Sequence, residues 1–109
     1  MKIYISGPVS GTKDANIRFA AAEAALEAEG HEVINPVKVN GQLPEQTTYR
    51  EYMNMSFMML DMCDCIFMLK GWQESQGARM ELGQALKSGH TIVFEGGRGS
   101  DEKNQTVAV

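Results

Sequence analysis

The sequence is poor in three features that each mark a class of protein: cysteine, basic charge in excess and long apolar runs. Only two cysteines occur among 109 residues, Cys63 and Cys65. They stand two positions apart with no third cysteine to pair with, so a disulfide framework and a cysteine metal site are both disfavoured. We interpret them as packing thiols in a reducing compartment. The formal net charge of −4 argues against a protein that coats a nucleic acid polymer, although a small anionic ligand is still allowed.

No stretch approaches the ~18 consecutive apolar residues that a membrane-spanning helix needs. The N-terminus also has no apolar region typical of a signal peptide. We therefore expect a soluble, cytoplasmic protein with no membrane partner. The hydrophobic content of 43% and charged content of 22% are ordinary for a globular protein, and the length suits one domain.

Short β-prone runs alternate with helical patterns along the chain. Predicted strands cover residues 2–6, 31–36, 64–69 and 90–94, predicted helices cover 15–29, 48–62 and 77–88, and residues 38–48 are predicted to be a mobile loop. This alternation predicts an α/β fold, a single-domain Rossmann- or flavodoxin-like three-layer sandwich. Right-handed crossovers give its parallel sheet the order 2-1-3-4. The domain would span residues 1–94, and residues 95–109 would form a polar tail or a fifth, edge strand.

Two predicted helices carry more apolar surface than one sheet face can cover. The first helix has two apolar stripes on nearly opposite sides, namely Ile17, Ala20, Ala21, Ala24 and Ala28, and Phe19, Ala22 and Leu26. One stripe would be left free, as a subunit contact or as a singly exposed Phe or Leu. The helix over 48–62 is rich in methionine and apolar around most of its circumference, with Tyr49 and Met62 among its apolar positions. Such a helix must be covered on two sides, which favours core or dimer packing over an adaptable binding groove. We expect a homodimer or a higher homo-oligomer.

The loops that follow the first and third predicted strands both contain glycine. In a sheet of order 2-1-3-4 these strands are neighbours, and ligands bind where the chain order reverses, at the carboxyl ends of the strands. Those ends carry Ser6-Gly7-Pro8 and residues 71–77. The second loop leads into a helix N-terminus, which directs free backbone N–H groups at an anion.

Glu81 is out of place in the helix that follows this second loop. Ala78, Leu82 and Ala85 form the stripe that should face the core, and Glu81 lies on the same side. An inward carboxylate is costly unless something uses it. The alternative is a structural carboxylate bonded to the backbone or to a tyrosine.

Several segments of the chain form a recognisable set. They are Tyr4-Ile5-Ser6-Gly7-Pro8, Gly30-His31-Glu32-Val33-Ile34-Asn35-Pro36, Cys63-Asp64 before an apolar strand, and Gly71-Trp72-x-x-Ser75-x-Gly77-Ala78-x-x-Glu81. Together they resemble the nucleoside 2-deoxyribosyltransferase superfamily, and within it a set of small bacterial and phage domains. The resemblance spans roughly residues 2–94 and keeps the order of every motif. The tail adds nothing to it.

The resemblance implies an N-glycosidase or deoxyribosyltransferase that acts on a nucleoside or a nucleoside 5′-monophosphate without a metal or an organic cofactor. Glu81 corresponds to the nucleophile that attacks C1′ of the sugar and expels the base. Water or a second base then resolves the glycosyl-enzyme ester. A fixed negative charge beside C1′ also suits an oxocarbenium-like transition state.

The resemblance also implies a set of substrate contacts. It comprises Tyr4, Ser6, Gly7, Pro8, Asn35, Trp72, Ser75, Gly77 and Arg79. By similarity to nucleotide N-hydrolases, Ser75 and Gly77 would bind a 5′-phosphate, while Ser75 is equally suited to cap the helix. Trp72 would stack on a base or act as a packing plug. His31 and His90 begin strands at the opposite edge and receive no catalytic role.

Two departures from the superfamily pattern concern the chemistry. Ser56 stands where an aspartate usually handles the sugar hydroxyls or the leaving group, and Ser10 stands where the nucleotide hydrolases tend to have an arginine. Lys13 or Arg79 would have to compensate for the missing arginine.

A serine cannot act as an acid at neutral pH, so the site would be slow, would use another acid such as Glu74 or Asp61, or would only bind. The alternative function is a non-catalytic nucleotide-binding module in the same crevice. A third is an interaction protein built on the methionine-rich helix.

Overall fold

The fold comes from a computed structural model that describes residues 1–9, 12–97 and the backbone of 107–108. The strands are β1 (Lys2–Ser6), β2 (Glu32–Ile34), β3 (Cys65–Met68), β4 (Thr91–Phe94) and β5 (Val107–Ala108). The helices are α1 (Ala15–Ala28), α2 (Pro36–Asn40), α3 (Tyr49–Asp61) and α4 (Gln76–Lys87), and a 3₁₀ turn spans Trp72–Glu74. No helix in these parts of the chain has the length and apolarity to cross a membrane.

The strands form one parallel sheet in the order β2-β1-β3-β4-β5. Ile3 of β1 stands beside Cys65 of β3, and Cys65 stands beside Thr91 of β4. The predicted α/β class and the order 2-1-3-4 are therefore confirmed, and β5 supplies the edge strand. The placement of a domain boundary at residue 94 stays a prediction.

Helices cover both faces of the sheet, as a three-layer sandwich requires. Successive side chains of β1 point to opposite faces. Ile3 and Ile5 join the core under α1, whereas Tyr4 packs with residues of α3 and α4. Both cysteines are buried free thiols, and burial raises the pKa of Cys63 to about 11 and of Cys65 to about 12. Their place in the core agrees with the packing role expected from the sequence.

The first helix packs one of its two apolar stripes against the sheet. Phe19, Ala22 and Leu26 are buried there, whereas Ile17 of the other stripe is 72% exposed. Of the two alternatives, a singly exposed Phe or Leu was therefore wrong for Phe19 and Leu26. One phenylalanine and one leucine remove more apolar surface from water than a row of alanines does. The stripe that contains them therefore packs against the sheet.

Residues 38–48 are not all loop, because the short helix α2 extends to Asn40. The Asn35 side chain accepts a hydrogen bond from the Val37 N–H at 3.0 Å, and Pro36 occupies the first helical position. An asparagine cap followed by proline is a helix start signal. The predicted loop was wrong for its first residues.

Helix α3 begins at a capping box. The Thr48 hydroxyl accepts from the Glu51 N–H at 3.1 Å, and the Glu51 carboxylate accepts from the Thr48 N–H at 2.9 Å. The buried residues are Met53, Ser56, Met59 and Leu60. Tyr49 and Met62 are more than half exposed, so coverage on two sides was wrong for these positions.

Candidate active site

Strand β1 delivers two polar side chains to the α4 side of the sheet. Tyr4 is fully buried and Ser6 is 1% exposed. Their even spacing places both on the face opposite Ile3 and Ile5. Two buried hydroxyl groups on one strand need partners, because an unpaired buried polar group is costly.

Helix α4 delivers the acceptor for these two hydroxyls. Its N-cap is Ser75, whose Oγ accepts from the Ala78 N–H at 3.1 Å. Glu81 lies in the second turn and is 7% exposed, beside buried Ala78. The helix therefore turns one carboxylate toward the end of β1, as the sequence predicted.

Both carboxylate oxygens of Glu81 accept hydrogen bonds from β1. Ser6 Oγ donates to Oε1 at 2.5 Å, and Tyr4 Oη donates to Oε2 at 3.0 Å. Ser56 of α3 lines the same cavity. The two donors on β1 thus hold one acid of α4 in a fixed orientation, and its remaining lone pairs can face the adjacent cavity.

The electrostatics of this cluster oppose ionisation of Glu81. Burial raises the pKa of its carboxyl group above the ordinary value, and the hydrogen bonds from Ser6 and Tyr4 offset part of that shift. Burial and the nearby Glu81 charge raise the pKa of Tyr4 well above its usual range. Tyr4 therefore remains a hydrogen-bond donor at neutral pH.

Glu81 lines a cavity of about 680 Å³, which is large enough for a nucleoside-sized ligand. The wall is built from the loop after β1, helix α2, one side of α3 and the N-terminus of α4. The lining includes Ser6, Gly7, Pro8, Val9, Thr12, Val37, Asn40, Tyr49, Tyr52, Met53, Ser56, Glu74, Ser75, Gln76, Gly77 and Glu81. Polar groups from β1 and α4 face apolar and aromatic groups from α2 and α3.

Two glycines let the backbone form this wall. A Cβ on Gly7 would stand 2.8 Å from Leu69 Cβ, a distance that real side chains do not tolerate. A Cβ on Gly77 would stand 3.4 Å from Met53 Sδ and 3.6 Å from the Tyr49 hydroxyl. The loop after β1 therefore packs directly on the end of β3, and the first turn of α4 packs closely on α3.

Six of the nine predicted substrate-binding residues line the cavity, together with both predicted catalytic residues. They are Tyr4, Ser6, Gly7, Pro8, Ser75 and Gly77, with Glu81 and Ser56. Of the alternative acids, Glu74 lines the cavity and Asp61 does not. Ser10 lies outside the described residues.

The other three predicted contacts lie elsewhere. Trp72 packs against Phe94 with ring centroids 5.8 Å apart. Asn35 caps α2 and donates to Glu23 Oε1 at 3.1 Å. Arg79 donates to the Gln73 carbonyl at 2.7 Å. None of the three lines the cavity, and a substrate role for them stays a prediction.

Sequence reasoning missed the aromatic wall of α3. Tyr49, Tyr52 and Met53 line the cavity beside Ser56. The signal was present, because these residues precede Ser56 by seven, four and three positions and so share its helix face. Once Ser56 was predicted to point inward, its helical neighbours could have been assigned to the same wall.

The charge of the cavity wall is negative in the described part of the chain. Glu74 and Glu81 line it, and no described lysine, arginine or histidine does. Within residues 1–9 and 12–97, no group of three or more His, Cys, Asp and Glu side chains is arranged to hold a metal ion. Recognition by these residues therefore uses hydroxyl groups, backbone N–H groups, aromatic rings and two carboxylates.

The parallel sheet with helices on both faces, and the crevice at the carboxyl ends of β1 and β3, define a flavodoxin-like fold. A solved structure described as the 2-deoxyribosyltransferase of Bacillus psychrosaccharolyticus matches with a TM-score of 0.72 and 20% identity. The match covers 86% of this chain and 71% of that chain. It confirms at the level of fold the resemblance seen in the sequence.

The family of the chain is given by its sequence. Residues 1–94 match the family model described as "Domain of unknown function (DUF4406)", and the chain belongs to this family. No curated protein matches the sequence at a significant level.

Proposed function

We propose that the protein is an N-glycosidase or deoxyribosyltransferase-like enzyme that cleaves the N-glycosidic bond of a nucleoside or a nucleoside 5′-monophosphate, with Glu81 as the nucleophile. The observation that carries the proposal is the buried Glu81 carboxylate, held by Tyr4 and Ser6 at the wall of a nucleoside-sized cavity. The fold shared with a 2-deoxyribosyltransferase supports it. A carboxylate nucleophile must be fixed and partly desolvated, and this one is both.

In the proposed reaction a Glu81 oxygen forms a bond to C1′ while the bond from C1′ to the base nitrogen breaks. The base leaves with the electron pair of that bond and takes a proton from water in the open cavity. Water, or an N–H nitrogen of a second base, then attacks C1′, loses its proton to the hydroxide left by the first step, and releases the Glu81 carboxylate. The negative charge of Glu81 stabilises the positive charge that develops at C1′ in both steps.

Tyr4 and Ser6 position the carboxylate in this scheme. Their hydrogen bonds favour its ionised form and so oppose the effect of burial on its pKa. They also leave one oxygen face free for the sugar. A glutamate without these donors would be held in its neutral form more strongly and would be a weaker nucleophile.

Ser56 supports a second candidate function, a non-catalytic nucleotide-binding module. A serine at this inward position provides no proton for the leaving base at neutral pH. The cavity would then bind its ligand through the same hydroxyl and N–H groups without turnover.

The experiment that separates the two functions is incubation with a panel of nucleosides and their 5′-monophosphates, followed by chromatography for free base. Base release by the wild type that Glu81→Gln abolishes supports the enzyme. Glu27→Gln, which removes an exposed charge on α1, is the matched control and should behave as wild type. Tight binding without release supports the binding module, and release that survives Glu81→Gln overturns the assigned nucleophile.

We also propose a homo-oligomer, as the helix patterns predicted. Ile17, Met58, Met62 and Leu86 are all more than half exposed. Light scattering at micromolar concentration tests this, and a monomer there would overturn it. A cytoplasmic location stays a prediction.

A further inference from the structure

The sign of the charge around the cavity bears on which substrates can enter it. Two acidic residues, Glu74 and Glu81, line its described wall, and no described lysine, arginine or histidine does. Ser10 and Gly11, the two undescribed residues between the wall residues Val9 and Thr12, have no ionisable side chain.

Two nearby cations are held by other groups. Arg18 donates to the Lys70 carbonyl at 2.7 Å and lies 3.5 Å from the Glu95 carboxylate. Lys38 is paired with Glu23 at 3.2 Å. Neither is part of the cavity wall, and neither are Lys13 and Arg79, the two cations that would have to compensate for the missing arginine.

Glu74 lines the cavity beside the N-terminus of α4, and we call this part of the cavity its polar end. It is the last residue of the 3₁₀ turn and directly precedes Ser75, the N-cap of α4. The backbone N–H groups of Gln76 and Gly77 begin α4 and have no acceptor within the helix. From Gln76 to Glu81 the helix rises about 7.5 Å. A pentose with C1′ at Glu81 can therefore place its 5′ end beside Glu74 and the first turn of α4.

The charges at this polar end do not suit a phosphate group. A helix N-terminus is equivalent to about +0.5 of an elementary charge, and the Glu74 carboxylate outweighs it. A phosphate monoester brings about −1.5 to −2 at pH 7. A 5′-hydroxyl, in contrast, can donate to the Glu74 carboxylate and accept from a helix N–H group.

We propose that the cavity selects neutral nucleosides and that Glu74 is the specificity-determining residue that excludes a 5′-phosphate. This inference rests on the proposed function and narrows its substrate class. In this inference Glu74 distinguishes a free 5′-hydroxyl from a 5′-phosphate, and it does so at a distance from the N-glycosidic bond that breaks.

The test compares a 2′-deoxynucleoside with its own 5′-monophosphate, in the wild type, in Glu74→Gln and in the control Glu27→Gln. Base release gives kcat/KM for each substrate, and calorimetry with Glu81→Gln gives the dissociation constants without turnover. The wild type should prefer the nucleoside at least tenfold. Glu74→Gln should narrow the preference about three- to tenfold, because it removes one exposed and partly screened charge from beside the phosphate. Glu27→Gln should leave the preference unchanged, and added salt should weaken it.

The outcomes separate this inference from the proposed function. A wild-type preference for the monophosphate overturns the inference alone. Equal loss of both activities in Glu74→Gln also overturns it, because that result fits an acid at the leaving group. If no base is released, tighter binding of the nucleoside still supports the charge selection while the enzyme assignment fails. If neither compound binds, both are overturned.

Discussion

The two faces of β1 obey different rules. Ile3 and Ile5 point into an apolar core with Phe19 and Leu26, where every contact lowers exposed apolar surface. On the other face, Tyr4 and Ser6 sit against a buried carboxylate, an arrangement that costs free energy to bury. One strand thus stabilises the fold with its odd positions and contributes to the proposed active site with its even ones. The contrast predicts that substitutions on the two faces separate stability from activity.

The largest expected effect is on the polar face. Glu81→Gln should lower base release at least about 10³-fold, because a neutral amide neither attacks C1′ nor stabilises positive charge there. Free base measured by chromatography reports the loss. If Glu81→Gln kept its activity within tenfold of wild type, the carboxylate bound by the polar face of β1 would have no part in the reaction.

Substitutions in the core on the apolar face of β1 should lower the free energy of unfolding. Leu26→Ala truncates a side chain that is 1% exposed and should lower the free energy of unfolding by about 2–4 kcal/mol. Chemical denaturation measures it. Leu86→Ala, at a position 63% exposed, is the matched control and should change it by less than about 0.5 kcal/mol. Equal effects at the two leucines would contradict the assignment of the inner face of α1.

Glu81→Gln should raise stability while it removes activity. Because burial raises the folded-state pKa of Glu81, its contribution to stability is greatest below the unfolded pKa and is lost as pH rises through the folded pKa. The melting temperature of Glu81→Gln relative to wild type should therefore increase from pH 4 to pH 8. A gain that shrinks over this range would show that the hydrogen bonds outweigh burial.

The smallest expected effect comes from removing a single hydrogen-bond donor on the polar face of β1. Tyr4→Phe removes one donor to Glu81 and should raise the pKa of that carboxyl group further, since the lost bond favours the charged form. We expect about tenfold lower activity at pH 7 and an acidic limb of the pH–rate profile displaced to higher pH. A uniform loss at every pH, without displacement, would indicate a merely structural hydroxyl.

Part of this contrast could be predicted from the sequence, because it follows from the spacing of residues along a strand or a helix. The spacing of Ala78, Glu81 and Ala85 specifies one side of α4, and the inward side of Glu81 was predicted correctly. The alternation of side chains along β1 carries the same kind of signal. The strand order also followed, since short connections and right-handed crossovers leave few arrangements.

Other features needed the tertiary structure. The two stripes of α1 are similarly apolar, and only contact with the sheet shows that Phe19 and Leu26 bury more area than the alanines. The position of Glu74 in the cavity wall depends on the 3₁₀ turn before α4, which has no periodic signal. The start of α2 at Asn35 and Pro36, in contrast, was a local signal that was passed over.

The measurement that tests the central claim most directly is the mass of the protein during turnover. The wild type would be mixed with a 2′-deoxynucleoside, quenched in acid, digested and analysed by mass spectrometry. We predict one added deoxyribosyl group on the peptide that contains Glu81, and no such group in Glu81→Gln. Release of base accompanied by the sugar adduct on a different residue would contradict the account.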